Sequence, residues 1–144
     1  MNSKSLKSFD ILLVEDNPAD ARLITEFLSD ADFINDLYIQ QDGIKAMEFL
    51  NQQCKQNNYY PNFVILDLNL PGKNGLEVLK EIKGDIDLKK IPVMIFTTST
   101  AEEDIKKCYD NHASCYITKP LDFDDFTKTI NLIKDFWLNT VKLP

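Results

Sequence analysis

The sequence predicts an α/β fold: a doubly wound parallel sheet of five strands in the order 2-1-3-4-5, with five helices on its two faces. Three observations carry this. Continuous rather than alternating apolar runs recur at 11–14, 63–66 and 93–96, as strands covered on both faces require. Each is followed by turn or cap residues and then by helical apolar spacing, so strands and helices alternate. The connections are mostly short and no repeat or low-complexity tract interrupts them, so right-handed crossovers close a single sheet with strands 1 and 3 adjacent at its switch point.

Residues 1–8 read as a polar tail and 9–144 as one domain with an extended last helix and no output domain. Asp10 to Val14 is the first strand, closed by Glu15-Asp16. Asn17 caps the helix that follows, Pro18 fits its first position, Asp20 suits its positive dipole end, and Leu23, Ile24, Phe27 and Leu28 form its stripe. Asp36 to Gln40 is a shorter strand. Asp42-Gly43 turns into a helix carrying Ile44, Met47, Phe49 and Leu50, with the polar Asn51 to Asn58 as its frayed end or a loop. The central strand, Phe63 to Leu66, ends at Asp67. Pro71-Gly72 and Asn74-Gly75 then punctuate the chain before a helix with Leu76, Val78, Leu79 and Ile82 that stops at Gly84. After Ile91-Pro92, Val93 to Phe96 is the fourth strand, ending at Thr97-Thr98-Ser99, and Thr100 with Glu103 makes a capping box for a helix from about Ala101 to Asn111. Cys115 to Thr118 is the fifth strand and runs into Lys119-Pro120. The last helix starts near Asp122 and carries Phe123, Phe126, Ile130, Ile133, Phe136, Trp137 and Leu138.

Composition narrows the function. A net charge of -7 with no basic run lacks the electrostatic footprint of a nucleic-acid binder. No apolar stretch approaches the ~20 residues of a membrane span, and the polar start lacks a signal-peptide core, which points to the cytoplasm. Three cysteines, none in a C-x-x-C pair, argue against zinc and against a disulfide frame. The single histidine, His112, leaves little for a histidine metal site or a hydrolase triad.

A parallel sheet points every strand's carboxyl end to one edge, so Glu15, Asp16, Asp67, Thr97 and Lys119 meet there. Each has an ordinary reading alone, as a turn former, a cap residue or a solvated lysine. Together they are a site. Two carboxylates at ~4 Å with an effective dielectric near 20 repel by roughly 4 kcal/mol, so Lys119 and a small hard cation must offset them. Mg²⁺, with Mn²⁺ as the alternative, suits one or two carboxylates plus water and phosphate oxygens. An aspartate beside that cation, a hydroxyl and an ammonium is equipped to attack phosphorus and hold phosphoryl oxygens. The chemistry read from the residues is an aspartyl phosphate on Asp67.

The motifs Val14-Glu15-Asp16-Asn17-Pro18, Leu66-Asp67-Leu68-Asn69-Leu70-Pro71, Asn74-Gly75, Ile91-Pro92-Val93, Thr97 and Lys119-Pro120 together resemble the receiver domain of response regulators, a flavodoxin-like fold. The resemblance runs from about Phe9 to the C-terminus. Asp-Leu-Asn-Leu-Pro, Cys115 to Lys119 and the tail Phe136 to Pro144 are similar to the stand-alone regulators paired with cyanobacterial phytochromes. By that resemblance Asp67 accepts a phosphoryl group from a phosphohistidine of a sensor histidine kinase, in two-component signalling rather than as a classical enzyme. Asp16 binds the metal directly, Glu15 directly or through water, and Asn69 through its backbone carbonyl. Thr97 and Lys119 each hold a phosphoryl oxygen, the Lys119–Pro120 peptide is cis, and Tyr116 is the switch aromatic that follows Thr97. Glu15 departs from the commoner Asp, and His112 and Cys115 stand where small residues are usual.

With no output domain, the signal leaves through the receiver's own surface. On the last helix Phe126, Ile130, Ile133 and Trp137 recur at helical spacing; most such residues cover the sheet, but the stripe is wide enough to suggest a homodimer face. Four other readings bear on this pattern. A flavin-type nucleotide carrier would want a Ser/Thr/Gly phosphate loop where Glu15-Asp16 stand, and a haloacid-dehalogenase-type phosphatase would want an acid where Asn69 stands. A relay intermediate passing phosphate to a second histidine protein would use the same site, and an unphosphorylated binding module would not use it.

Overall fold

The computed structural model describes residues 9–29 and 34–136. The expected tail 1–8, and Trp137, Leu138 and the residues after them, lie outside the described residues. Five parallel strands, β1 (Phe9–Val14), β2 (Ile34–Gln40), β3 (Phe63–Leu66), β4 (Val93–Thr97) and β5 (Cys115–Thr118), form one sheet in the order β2-β1-β3-β4-β5. Between and after them run α1 (Pro18–Ser29), α2, α3 (Gly75–Gly84), α4 (Glu102–Asp110) and α5 (Phe123–Ile133). Helix α2 is built in three parts: Gly43–Glu48, a π-helical stretch Phe49–Cys54 and a last turn Lys55–Asn57.

The apolar runs are continuous because alternate side chains of each strand enter different cores. Leu12, Val14, Val64, Leu66, Val93 and Ile95 pack with Met47 and Leu50 of α2, Val78, Leu79 and Ile82 of α3 and Cys108 of α4. Ile11, Leu13, Phe63, Ile65, Met94 and Phe96 pack on the other face with Ile24 and Leu28 of α1 and Phe126, Ile130 and Ile133 of α5. Neither face of the central strands meets water.

That second core corrects the dimer face. Phe126, Ile130 and Ile133 are 5%, 1% and 4% exposed, and the Phe126 ring lies 5.5 Å from that of Phe96. The stripe is apolar because α5 covers the sheet beside α1, and Trp137 falls outside the described residues. The exposed apolar positions on α5 are Phe123 and Leu132.

Other local expectations also change. Asn51 to Asn57 is helical rather than loop, held by burial of Cys54 and by the Lys55–Asp85 ion pair, and Asn58 ends it in the left-handed region at φ 50°. The Thr100/Glu103 capping box does not form, because α4 begins one residue later than that box needs. Ala101 is the N-cap, its N–H donates to Ser99 Oγ (3.3 Å), Ser99 Oγ bonds Asp104 (2.6 Å), and Glu103 pairs with Lys107 (2.8 Å). The Lys119–Pro120 peptide is trans, since no cis bond occurs among the described residues; trans is the intrinsically preferred isomer of an X–Pro bond. Among those residues no helix is long and apolar enough to cross a membrane.

Candidate functional site

The site forms where β1, β3, β4 and β5 end. The ladder continues one step past the strands: Glu15 N–H donates to Gln40 O (3.0 Å) and Asp67 N–H to Val14 O (3.1 Å). Glu15 and Asp67 are therefore aimed by sheet backbone, and they are only 1% and 4% exposed. Beyond Asp67 the chain turns tightly, with Asn69 N–H on Asp67 Oδ1 (3.1 Å) and Gly75 N–H on Leu68 O (3.0 Å). Asn74 and Glu77 then close a reciprocal capping box at the start of α3. A Cβ on Gly75 would fall on the Asp67 carbonyl oxygen and the Leu68 Cα, far inside van der Waals contact. Gly75→Ala is expected to push the Asp67 turn outward and cost about 1–3 kcal/mol, read from the urea midpoint. Gly84→Ala, with nothing within 4 Å of the added carbon, serves as the neutral control.

Lys119 arrives from β5, its N–H on Thr97 O (2.6 Å). Its ammonium meets Glu15 Oε1 at 2.6 Å, Asp67 Oδ2 at 2.9 Å and Asp20 Oδ2 at 2.9 Å. Asp20 was not expected in the site. The sequence places it in the first turn of α1, where Asn17 Oδ1 accepts its N–H (3.0 Å), and that turn starts at the same sheet edge. Thr97 is fully buried at the end of β4, and Asn69 Nδ2 reaches both Thr97 Oγ1 (3.4 Å) and Thr98 Oγ1 (3.3 Å). The Tyr116 hydroxyl donates to Ser99 O (2.9 Å), seating the half-buried ring beside the loop that follows Thr97.

Oxygens of Glu15, Asp16 and Asp67 lie within 4.8 Å of one another. An all-oxygen, mostly carboxylate donor set suits a hard divalent cation rather than zinc or copper. Burial pushes the Glu15 carboxyl up to about 7, against the opposing pull of Lys119. Burial also works to deprotonate Lys119, but its hydrogen bonds to Glu15, Asp67 and Asp20 outweigh it and hold the ammonium's pKa above its ordinary value. For an acid whose folded pKa is raised, the stabilising contribution is present below the unfolded value, here 4.5, and is lost as pH rises through about 7. Without metal, Glu15 is thus expected to lower stability as pH rises between those limits, by on the order of 3 kcal/mol at ~1.4 kcal/mol per unit. Denaturant midpoints against pH in chelator test this: Glu15→Gln should flatten the slope.

A family model, the response regulator receiver domain, matches residues 11–131. The chain belongs to the receiver domain family. Response regulator Rcp1 of Synechocystis sp. is 49% identical over 135 residues, covering 93% of this chain and 92% of Rcp1. The crystal structure of Mn²⁺-bound Rcp1 superposes with a TM-score of 0.88 at 48% identity, covering 94% of this chain and 99% of that one. The phosphorylated cyanobacterial phytochrome response regulator RcpA superposes at 0.89 with 44% identity, covering 95% and 99%. The receiver is thus a two-component signalling protein of the kind that binds a divalent metal, and its five-stranded fold is that of its relatives.

Proposed function

We propose that this receiver accepts one phosphoryl group on Asp67 from the phosphohistidine of a sensor histidine kinase and signals through its own surface. The observation that carries the reading is the Asp67 carboxylate, 4% exposed at the sheet edge, with one oxygen 2.9 Å from the Lys119 ammonium. In the reaction a carboxylate oxygen of Asp67 forms a bond to phosphorus as the donor's P–N bond breaks, and the electron pair leaves on the imidazole. Lys119 and Thr97 would donate to phosphoryl oxygens as charge gathers there. Glu15, Asp16, Asp67 and the Asn69 carbonyl would hold Mg²⁺, which when bound supplies positive charge beside the incoming phosphoryl group. Thr97 moving toward that group would loosen the loop on which Tyr116 rests and so carry the switch outward.

Likeness to RcpA supports a phytochrome-like kinase as the partner. The three free cysteines suit a reducing compartment and support a cytoplasmic setting. Exposed Phe123 and Leu132 on α5, 61% and 67% accessible, support a homodimer, which sedimentation would test. The test of the main reading is intact mass after incubation with acetyl phosphate. A gain of one phosphoryl group that needs a divalent cation and is released by hydroxylamine is expected. No gain with any donor, a cognate kinase included, would leave the site without this chemistry.

A further inference from the structure

We propose that Asp20 restrains phosphorylation by competing with the phosphoryl group for Lys119, an inference that rests on Asp67 being the phosphoryl acceptor. An ammonium has three N–H donors, and here each has a carboxylate: Glu15 at 2.6 Å, Asp67 at 2.9 Å and Asp20 at 2.9 Å. A phosphoryl oxygen can gain Lys119 only by displacing one of them. Glu15 and Asp67 belong to the oxygen cluster that could hold a metal ion, whereas Asp20 does not. Asp20 is also the most accessible of the three, its side chain 24% exposed against 1% and 5%, so water can take over its hydrogen bonds at least cost. The competition is therefore between Asp20 and the phosphoryl group.

The contact is built in rather than incidental, because the first turn of α1 is pinned by the Asn17 cap, on which the Asp20 N–H itself is spent. Asp20 also lines, with Thr98, Lys119, Asp122 and Phe123, an open cavity of about 280 Å³. Converting the Asp67 carboxylate to an acyl phosphate adds further negative charge to a site that already sets four carboxylates, Asp16 included, against one lysine. Asp20 is the carboxylate whose charge the chemistry does not use.

The test compares wild type with Asp20→Asn, which keeps an oxygen for Lys119 and removes the charge, and with Asp20→Ala, which removes both. The O–P bond to Asp67 forms as acetate leaves acetyl phosphate with the electron pair, and uptake is followed by intact mass under identical saturating Mg²⁺. Both variants are expected to react roughly 10-fold faster at low donor concentration, the scale on which one charge in a focused site acts, and to stand more fully phosphorylated at steady state. The gain should lie in KM more than in the saturating rate, and should shrink with the less charged donor phosphoramidate. A residue that merely holds Lys119 in place would give slower uptake in Asp20→Ala with Asp20→Asn spared, and that result, or unchanged rates, would overturn the proposal. A wild-type protein that takes up no phosphoryl group from either donor would overturn the reading of Asp67 and this inference with it.

Discussion

Asp67→Asn is expected to take up no phosphoryl group from any donor and, in metal-free buffer, to unfold at a higher temperature than wild type. The first result follows from chemistry: an amide oxygen is a far weaker nucleophile than a carboxylate, and among the described acids only Asp67 and Glu15, the residue after β1, both meet Lys119 and belong to the acidic cluster. The second follows from repulsion. Glu15, Asp20 and Asp67 share one ammonium, and a single carboxylate pair at ~4 Å costs roughly 4 kcal/mol at an effective dielectric near 20. Lys119 already offsets much of this, and the Asn69 N–H on Asp67 Oδ1 (3.1 Å) loses a charged acceptor. The net gain is therefore about 1–2 kcal/mol, a few degrees for a domain of this size. A divalent cation should raise the melting temperature of wild type more than that of Asp67→Asn, because binding to the folded state stabilises it. Mass gain in the variant would move the acceptor to another residue. An unchanged melting temperature would mean that the carboxylates are not in conflict.

The fold was legible because burial on both faces leaves a mark that local sequence cannot hide. Val64 and Ile65 must both be apolar when one faces α2 and α3 and the other faces α1 and α5. The site was legible for a topological reason: parallel strands bring their last residues to one edge, so Glu15, Asp67, Thr97 and Lys119 could be assembled before any distance was known. What a linear pattern does not carry is the reach of side chains between elements. Asp20 reads equally well as a dipole complement, and only the folded sheet edge, where the first turn of α1 and the residue after β5 converge, turns it onto Lys119. Periodicity likewise shows that α5 has an apolar stripe without saying what covers it, so Phe126, Ile130 and Ile133 could be read as an interface when they belong to the core. The polar run after Leu50 hid a helix because only Cys54 within it is buried, and because π-helical turns shift the phase on which such patterns rest.

Lys119→Met is expected to destabilise the metal-free protein by about 3–5 kcal/mol, the range for removing one partner of a buried ion pair, and to slow phosphoryl uptake by roughly 10²–10³. Methionine can follow much of the lysine stem, whose end lies 6.0 Å from the Phe96 ring centroid, and the main-chain bond from residue 119 to Thr97 O is unaffected. The loss is therefore mainly electrostatic: Glu15 and Asp67, 1% and 4% exposed, keep their desolvation and lose their cation. A divalent cation added to Lys119→Met should restore much of the stability, since it draws on the same carboxylates, but little of the rate, since the N–H donor proposed for the phosphoryl group is gone. Lys119→Arg should recover stability better than rate, because its planar fork replaces a compact ammonium with three separately directed donors. Chemical denaturation and timed intact mass, each with and without Mg²⁺, separate the two effects. Rescue of both by metal would make the ammonium an interchangeable counter-charge, whereas rescue of stability alone would assign it a part in the transfer itself.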